Sequence, residues 1–310
     1  MIKKVNILCH IALATTLFAC AKSHIASDTP LPSRLPIPSV PAYISEAADS
    51  ANYIVSHFWD GVDFTNPQYG RNETFIDCNF TNFARQFRHA DRDTLQSAVS
   101  SLMHRAEADT VAYYLLANAA DKHLYEVNSP MLNETDYLLF LNAITKSDFL
   151  DSDLRMRFDY QLDNVLKNRP GTTATDFTFI DTHGKSHTLH NSAKSPLRIL
   201  FFYDPDCDHC ESVIARMQND DTLTSAIRNG HIEILAVYSQ GDEDVWNHQA
   251  QSKIPSNWTN SYSPLGSVEN DALYIMRTMP TIFLIDSDCK VILKDTDFNR
   301  LMRRLADYSF

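Results

Sequence analysis

LRILFFYDPDCDHC, residues Leu197–Cys210, decides how the rest of this chain is read. An apolar run of strand character ends at Tyr203, and Asp204-Pro205-Asp206 supplies turn chemistry. A helical pattern then starts, with Asp206 expected as its N-cap. That start places Cys207 in the first turn and Cys210 three residues on, with Ile214 and Met217 continuing one apolar face. A sulfur at a helix N-terminus meets unsatisfied backbone N–H groups that favour a thiolate. The second sulfur lies one turn behind, near enough for a disulfide without much backbone movement. Alone, C-x-x-C could equally be half of a zinc site or chance. The strand, the turn and the helix start around it make the reading far more specific.

A second stretch, Thr278-Met279-Pro280-Thr281-Ile282-Phe283-Leu284-Ile285, opens an apolar strand with proline. Proline cannot donate to a sheet ladder, so its position must be special. Composition alone favours an ordinary trans bond at a strand entrance, because few X–Pro bonds are cis. Together with CDHC, the expectation becomes a cis Met279–Pro280 bond beside the cysteines, leaving the Met279 backbone free to pair with an extended substrate.

With these pieces in place, residues 171–310 resemble thioredoxin-like proteins of the membrane-anchored, cytochrome-maturation type. The resemblance rests on Ala174-Thr175-Asp176-Phe177, Asp181-Thr182-His183-Gly184-Lys185, Phe201 to Cys210, Leu235-Ala236-Val237-Tyr238, and Met279-Pro280-Thr281 running into Leu284-Ile285-Asp286. It implies an α/β thioredoxin fold, a mixed central sheet flanked by helices. It also implies Cys207 as attacking thiol, Cys210 as resolving thiol and Pro280 as cis, with Met279, His209 and Asp206 in support. Two departures stand out. Thioredoxins often carry a buried Asp six residues before the first Cys, where this chain has Phe201, and Asp206 stands where many relatives have Trp.

Outward from this core, 310 residues suffice for two domains, and a net charge of −12 without any basic stripe excludes nucleic acid as a partner. With 7 Gly there is no glycine-rich phosphate loop, and no cofactor is implied. Lys3 and Lys4 precede an apolar run, Val5 to Phe18, of signal-peptide length. Leu17-Phe18-Ala19-Cys20 resembles a bacterial lipobox, so residues 1–19 are expected to be removed and Cys20 lipidated, the alternative being plain secretion. The protein is then expected at the cell envelope, held to a membrane and facing the periplasm. Residues 20–42 contain Pro30, Pro32, Pro36, Pro38 and Pro41, a semi-rigid spacer.

Residues 43–168 read as an all-α domain. Helical spacing covers Ile44 to Phe58, Arg92 to Arg105, Asp109 to Tyr125, Glu134 to Ala143 and Asp153 to Lys167, and Asn168-Arg169-Pro170-Gly171 is a stop signal. This half resembles the helical domain that precedes thioredoxin folds in lipoproteins of Gram-negative gut-type bacteria. The shared pieces are His57-Phe58-Trp59-Asp60, Asp63-Phe64, Leu124-Tyr125, Asn128-Ser129-Pro130-Met131 and Lys167 to Gly171. No chemistry carries over from it. His57, Trp59 and Asp60 are expected to cap and pack a helix end.

Removal of the leader and lipidation of Cys20 leave Cys78, Cys207, Cys210 and Cys289. A structural zinc site would need a second close pair, which is lacking, so no metal is expected. His209 between the cysteines stabilises the reduced form and makes the pair a weaker reductant than one flanked by Gly-Pro. Three functions compete. The first is a thiol–disulfide oxidoreductase acting on a protein or small-molecule disulfide or dithiol. The second is a non-catalytic envelope lipoprotein binding a partner through its helical domain, with unreactive cysteines. The third, a peroxidase, is disfavoured by the paired cysteines and the missing T-x-x-C.

Overall fold

The computed structural model describes residues 33–308. The leader, Cys20 and the first part of the spacer lie outside the described residues. The chain is first met as an extended, Pro-rich segment that is already part of the fold. Leu35 is buried, its N–H donating to Asn79 Oδ1 at 2.8 Å, while Asn79 Nδ2 donates to the Ser33 carbonyl at 3.1 Å.

Six α-helices follow: α1 (Ala47–His57), α2 (Glu73–Ala84), α3 (Arg92–Ala106), α4 (Thr110–Leu124), α5 (Glu134–Lys146) and α6 (Ser152–Leu166). Their starts are written in the sequence. Asn72, Asp109, Asn133 and Asp151 each accept hydrogen bonds from first-turn N–H groups, which would otherwise lack partners. Helix α2 is an addition to the stripes visible in the sequence. Its inward face carries the polar Asn79 among Phe75, Ile76, Phe80 and Phe83, which breaks the apolar pattern. Burial of Asn79 is tolerated because its amide is spent on residues 33 and 35 and on the Phe75 carbonyl. The end of α1 behaves as expected: His57 meets Asp60 at 2.6 Å, and Trp59 is buried against Phe58, Phe64 and Phe83.

From residue 168 the chain is tied down along its length. Asn168 Nδ2 donates to the Leu273 carbonyl, and its Oδ1 accepts the Thr175 N–H. Gly171, at φ +85°, a left-handed conformation that glycine adopts without strain, donates to the Val291 carbonyl at 2.7 Å.

The sheet is seven-stranded among the described residues. It comprises β1 (Thr178–Asp181), β2 (Ser186–Thr188), β3 (Leu197–Tyr203), β4 (Ile232–Tyr238), β5 (Thr259–Tyr262), β6 (Thr281–Asp286) and β7 (Val291–Leu293), in the order β2-β1-β5-β4-β3-β6-β7. Strands β3, β4 and β5 run parallel, while β6 pairs antiparallel with β3 and β7, and β1 antiparallel with β2 and β5. Every residue of β3 is buried, as an apolar run covered on both faces requires. Successive side chains alternate. Ile199, Phe201 and Tyr203 enter one core, with α7 (Asp208–Gln218), α8 (Asp221–Arg228) and, after the short α9 (Glu243–Val245) and α10 (Ser267–Asn270), the closing helix α11 (Phe298–Leu305). Leu200 and Phe202 enter the other core, with Phe177, Tyr274 and Phe283.

Strand β5 had no apolar signal, because its sequence is TNSY. Its polar side chains find partners inside through their oxygens: Ser261 Oγ donates to the Ala236 carbonyl, and Asn260 Oδ1 accepts from Tyr203 Oη, while Asn260 Nδ2 is buried without a partner among the described residues. Asp242 caps the single α-helical turn α9, which runs on into a π-helical turn, Trp246–Ala250. Trp246 and Trp258 are both core residues.

Candidate functional site

Strand β3 delivers the chain to the edge of the sheet at Tyr203, and α7 begins five residues later. The cap of α7 corrects the sequence reading. Asp206 is not the N-cap. Its own N–H is taken by Asp204 Oδ1 at 2.7 Å, and its exposed carboxylate caps nothing among the described residues. Cys207 holds the cap position, and its Sγ accepts the Cys210 N–H at 3.1 Å. The reason is local competition. Asp204 closes the turn two residues early, which pushes the helix start one residue past the expected point. The sulfur then occupies the site where a side-chain acceptor satisfies an orphan N–H.

Cys207 is half-buried, while Cys210, inside the first turn, is 1% exposed. All four described cysteines are free thiols, and Cys78 and Cys289 are not bridged. Burial pushes the Cys210 thiol far above its usual range, and the neighbouring Cys207 sulfur adds to this. Beneath the pair, Phe201 is wholly buried, edge-on to Trp258 at 5.6 Å. A hydrocarbon wall thus stands where a proton acceptor could have stood.

The Met279–Pro280 bond is cis. Cys207 Sγ donates to the Met279 carbonyl at 3.7 Å, so the proline loop faces the sulfur across the mouth of the site. Pro280 is buried and Met279 half-buried. His209 is exposed on the first turn of α7, next to Asp208. On the flank, Lys253 bridges to Glu211 at 2.7 Å and donates to the Pro205 carbonyl, fixing the loop before the cysteines to the start of α7. Glu211 holds the Lys253 ammonium above its usual range. Among the described residues no cluster of His, Cys, Asp and Glu is arranged to hold a metal ion.

A groove of about 580 Å³ runs from His209, Met279 and Pro280 along α7. Its far wall was not foreseen from sequence: it comes from the helical region, where Val127–Leu132 connects α4 to α5. Arg277, two residues before Met279, ties the two halves together at this place. It donates to the Tyr125 carbonyl, lies over the Tyr125 ring at 4.3 Å, and pairs with Glu134 at 2.9 Å and Asp295 at 2.7 Å. Lys294 reaches the other oxygen of Glu134 at 2.9 Å. The available signal for this junction was Tyr125 with Asn128-Ser129-Pro130-Met131, noted in sequence only as points of resemblance.

A solved structure carries the same two-part arrangement. A thioredoxin-like protein from Bacteroides caccae aligns over 89% of this chain and 99% of its own, with TM-score 0.80 and 25% identity. The sheet-bearing half has a thioredoxin-like fold. Residues 17–168 match the family model of a domain of unknown function, DUF5106. A conserved protein of unknown function from Bacteroides fragilis shares 31% identity over 44% of this chain and 98% of its own, with TM-score 0.42. The thioredoxin domain of a thiol-disulfide oxidoreductase from Bacteroides vulgatus aligns over 44% of this chain and 96% of its own, at 20% identity and TM-score 0.38. No curated protein matches the chain.

Proposed function

We propose that this protein is a thiol–disulfide oxidoreductase of the cell envelope, anchored through lipid on Cys20. The observation that carries the redox reading is the unequal pair of sulfurs. Cys207 is reachable, caps a helix and faces the Met279 carbonyl at 3.7 Å, while Cys210 is buried behind it. That asymmetry is what sequential attack requires. The Cys207 thiolate attacks a substrate disulfide. One substrate sulfur leaves as thiolate and a mixed disulfide forms. Cys210, losing its proton, attacks Cys207 Sγ. The Cys207–Cys210 disulfide forms, the second substrate thiol is released, and two electrons have passed to the substrate. The reverse sequence oxidises a substrate dithiol by the same bonds.

The competing reading, a partner-binding lipoprotein with inert cysteines, calls for both sulfurs to be shut away, and the half-exposure of Cys207 favours catalysis instead. Two variants test the proposal. Turnover of a model disulfide is expected to vanish in Cys207→Ser, whereas Cys210→Ser is expected to accumulate a mixed disulfide visible by mass spectrometry. Undiminished turnover in Cys207→Ser, together with no alkylation of the wild-type sulfur under mild reduction, would reject it.

A further inference from the structure

We propose that the groove between the helical region and the cis-proline loop is a recognition cleft for a polypeptide that carries acidic residues beside its reacting cysteine. The proposal rests on the redox reading for its substrate chemistry, but its recognition residues lie elsewhere. The groove begins at His209, Met279 and Pro280, so it is continuous with the mouth from which Cys207 is reached. Its volume falls within the range of built ligand sites and accommodates several residues of extended chain. Both walls are held in place. On the helical side, Ser129 Oγ donates to the His123 carbonyl and accepts the Met131 N–H, and the Asn133 N–H donates to the Leu124 carbonyl. On the other side, His209, Val213 and Arg216 fall on one face of α7 and line the floor.

Charge selects the occupant. The chain as a whole carries −12, yet in this groove two exposed arginines, Arg216 and Arg300, outnumber the one exposed carboxylate without a cationic partner, Asp297. Arg216 is steadied only by neutral groups: it donates to Asn299 Oδ1 at 2.8 Å and lies over the Phe298 ring at 4.5 Å. Neither arginine has a carboxylate partner among the described residues. Of the two acids in the lining, one is neutralised by an arginine and the other is held to its own helix. Asp295 pairs with Arg277, and Asp297 caps α11 by accepting the Arg300 N–H. The remaining acids near the cysteines, Asp204, Asp206 and Asp208, do not line the groove. Charge is therefore split across Cys207, with acidic side chains on one flank and a cationic floor on the other. A chain laid along the groove is favoured when its groove-side residues are Asp or Glu and disfavoured when they are Lys or Arg.

The test separates recognition from chemistry. Fluorescent peptides containing one reduced cysteine flanked on either side by Glu, Ser or Lys are titrated against Cys207→Ser by anisotropy at low salt. The Glu peptide is expected to bind about tenfold more tightly than the Lys peptide, as two exposed pairs allow. Adding Arg216→Glu and Arg300→Glu should invert that order, and raising the salt should flatten it. Hydroxyethyl disulfide, small and neutral, reports chemistry in the wild type. Equal binding of the Glu and Lys peptides overturns the cleft even where hydroxyethyl disulfide is turned over. Arginine-dependent preference for Glu with no turnover of any disulfide leaves the cleft standing and removes the redox reading.

Discussion

At the scale of single residues, the wall beneath the cysteines sets the chemistry. Phe201 packs at zero exposure against Trp258, and Cys210 sits in the same core. Burial already drives the Cys210 thiol well above its usual range, and no carboxylate at position 201 is available to take its proton. The resolving step of the proposed reaction then depends on the small fraction of Cys210 present as thiolate. Since that thiol titrates above the working range, its thiolate fraction grows with pH, about tenfold per unit. Stopped-flow decay of the mixed disulfide, formed on the wild type with a chromophoric disulfide, should therefore accelerate throughout pH 6 to 9. A rate that levels off below pH 7.5 would mean that another group deprotonates Cys210. The cysteine pair was legible from its immediate neighbours in the chain, whereas the cis Met279–Pro280 bond was read only by setting it beside the distant CDHC motif. The cap was misread because Asp204, Asp206 and Cys207 all offer acceptors within four residues. Which acceptor wins depends on the direction in which β3 releases the chain, and that is a tertiary property.

At the scale of elements, helices with a strong cap and an unbroken stripe were readable, as were the buried strands β3 and β6. Helix α2 and strand β5 were not, because each buries polar side chains whose partners lie far away in sequence. The junction between the halves was invisible for the same reason: Arg277 and Glu134 are separated by more than a hundred residues. Within that junction the two cations are not equivalent. For Arg277 burial works against the charge, but Asp295 and Glu134 outweigh it and hold the guanidinium above its usual range. For Lys294 burial outweighs Glu134 and draws the ammonium below its usual range. Removing Arg277 strands the carboxylate of Asp295, which is only 5% exposed, and leaves the Tyr125 carbonyl without its donor. Arg277→Met is therefore expected to cost about 3–5 kcal/mol. Lys294→Met leaves Glu134 its arginine and removes a buried charge, but it takes the Nζ donor from the Asn164 and Val165 carbonyls at the end of α6, so it should cost about 1–2 kcal/mol, less than Arg277→Met. Chemical denaturation of both variants beside the wild type measures the difference. Equal losses would show that Glu134 depends on both cations alike.

At the scale of the whole molecule, the helical and sheet-bearing halves meet beside the site through Arg277, and also where Lys294 reaches the Asn164 and Val165 carbonyls and Lys167 the Ala272 carbonyl. The helical core and the two cores of the sheet are separate clusters, and the Arg277 network lies within a few residues of both Met279 and the Val127–Leu132 wall. Joining the halves there gives the thiol site a wall that a lone thioredoxin-like domain would not have. The helical region is also fixed at its start, where Asn79 holds residues 33 and 35. This shortens the spacer read from the proline pattern, because Pro36, Pro38 and Pro41 follow a point already stitched to α2. On the proposal that Cys20 bears the lipid, residues 21–32 alone separate membrane from fold, a reach of at most about 40 Å when fully extended. The proposed cleft would then work close to a membrane surface and meet substrates delivered there. No helix among the described residues is long and apolar enough to cross a bilayer. On the proposal of a lipid on Cys20, replacing that sulfur should free the protein. In fractionated cells Cys20→Ser is expected to move from the membrane pellet to the soluble envelope fraction with its hydroxyethyl disulfide turnover retained. Wild-type protein should partition into the detergent phase of a Triton X-114 extract. Membrane association that survives Cys20→Ser would refute the anchor and assign attachment to a surface of the folded chain.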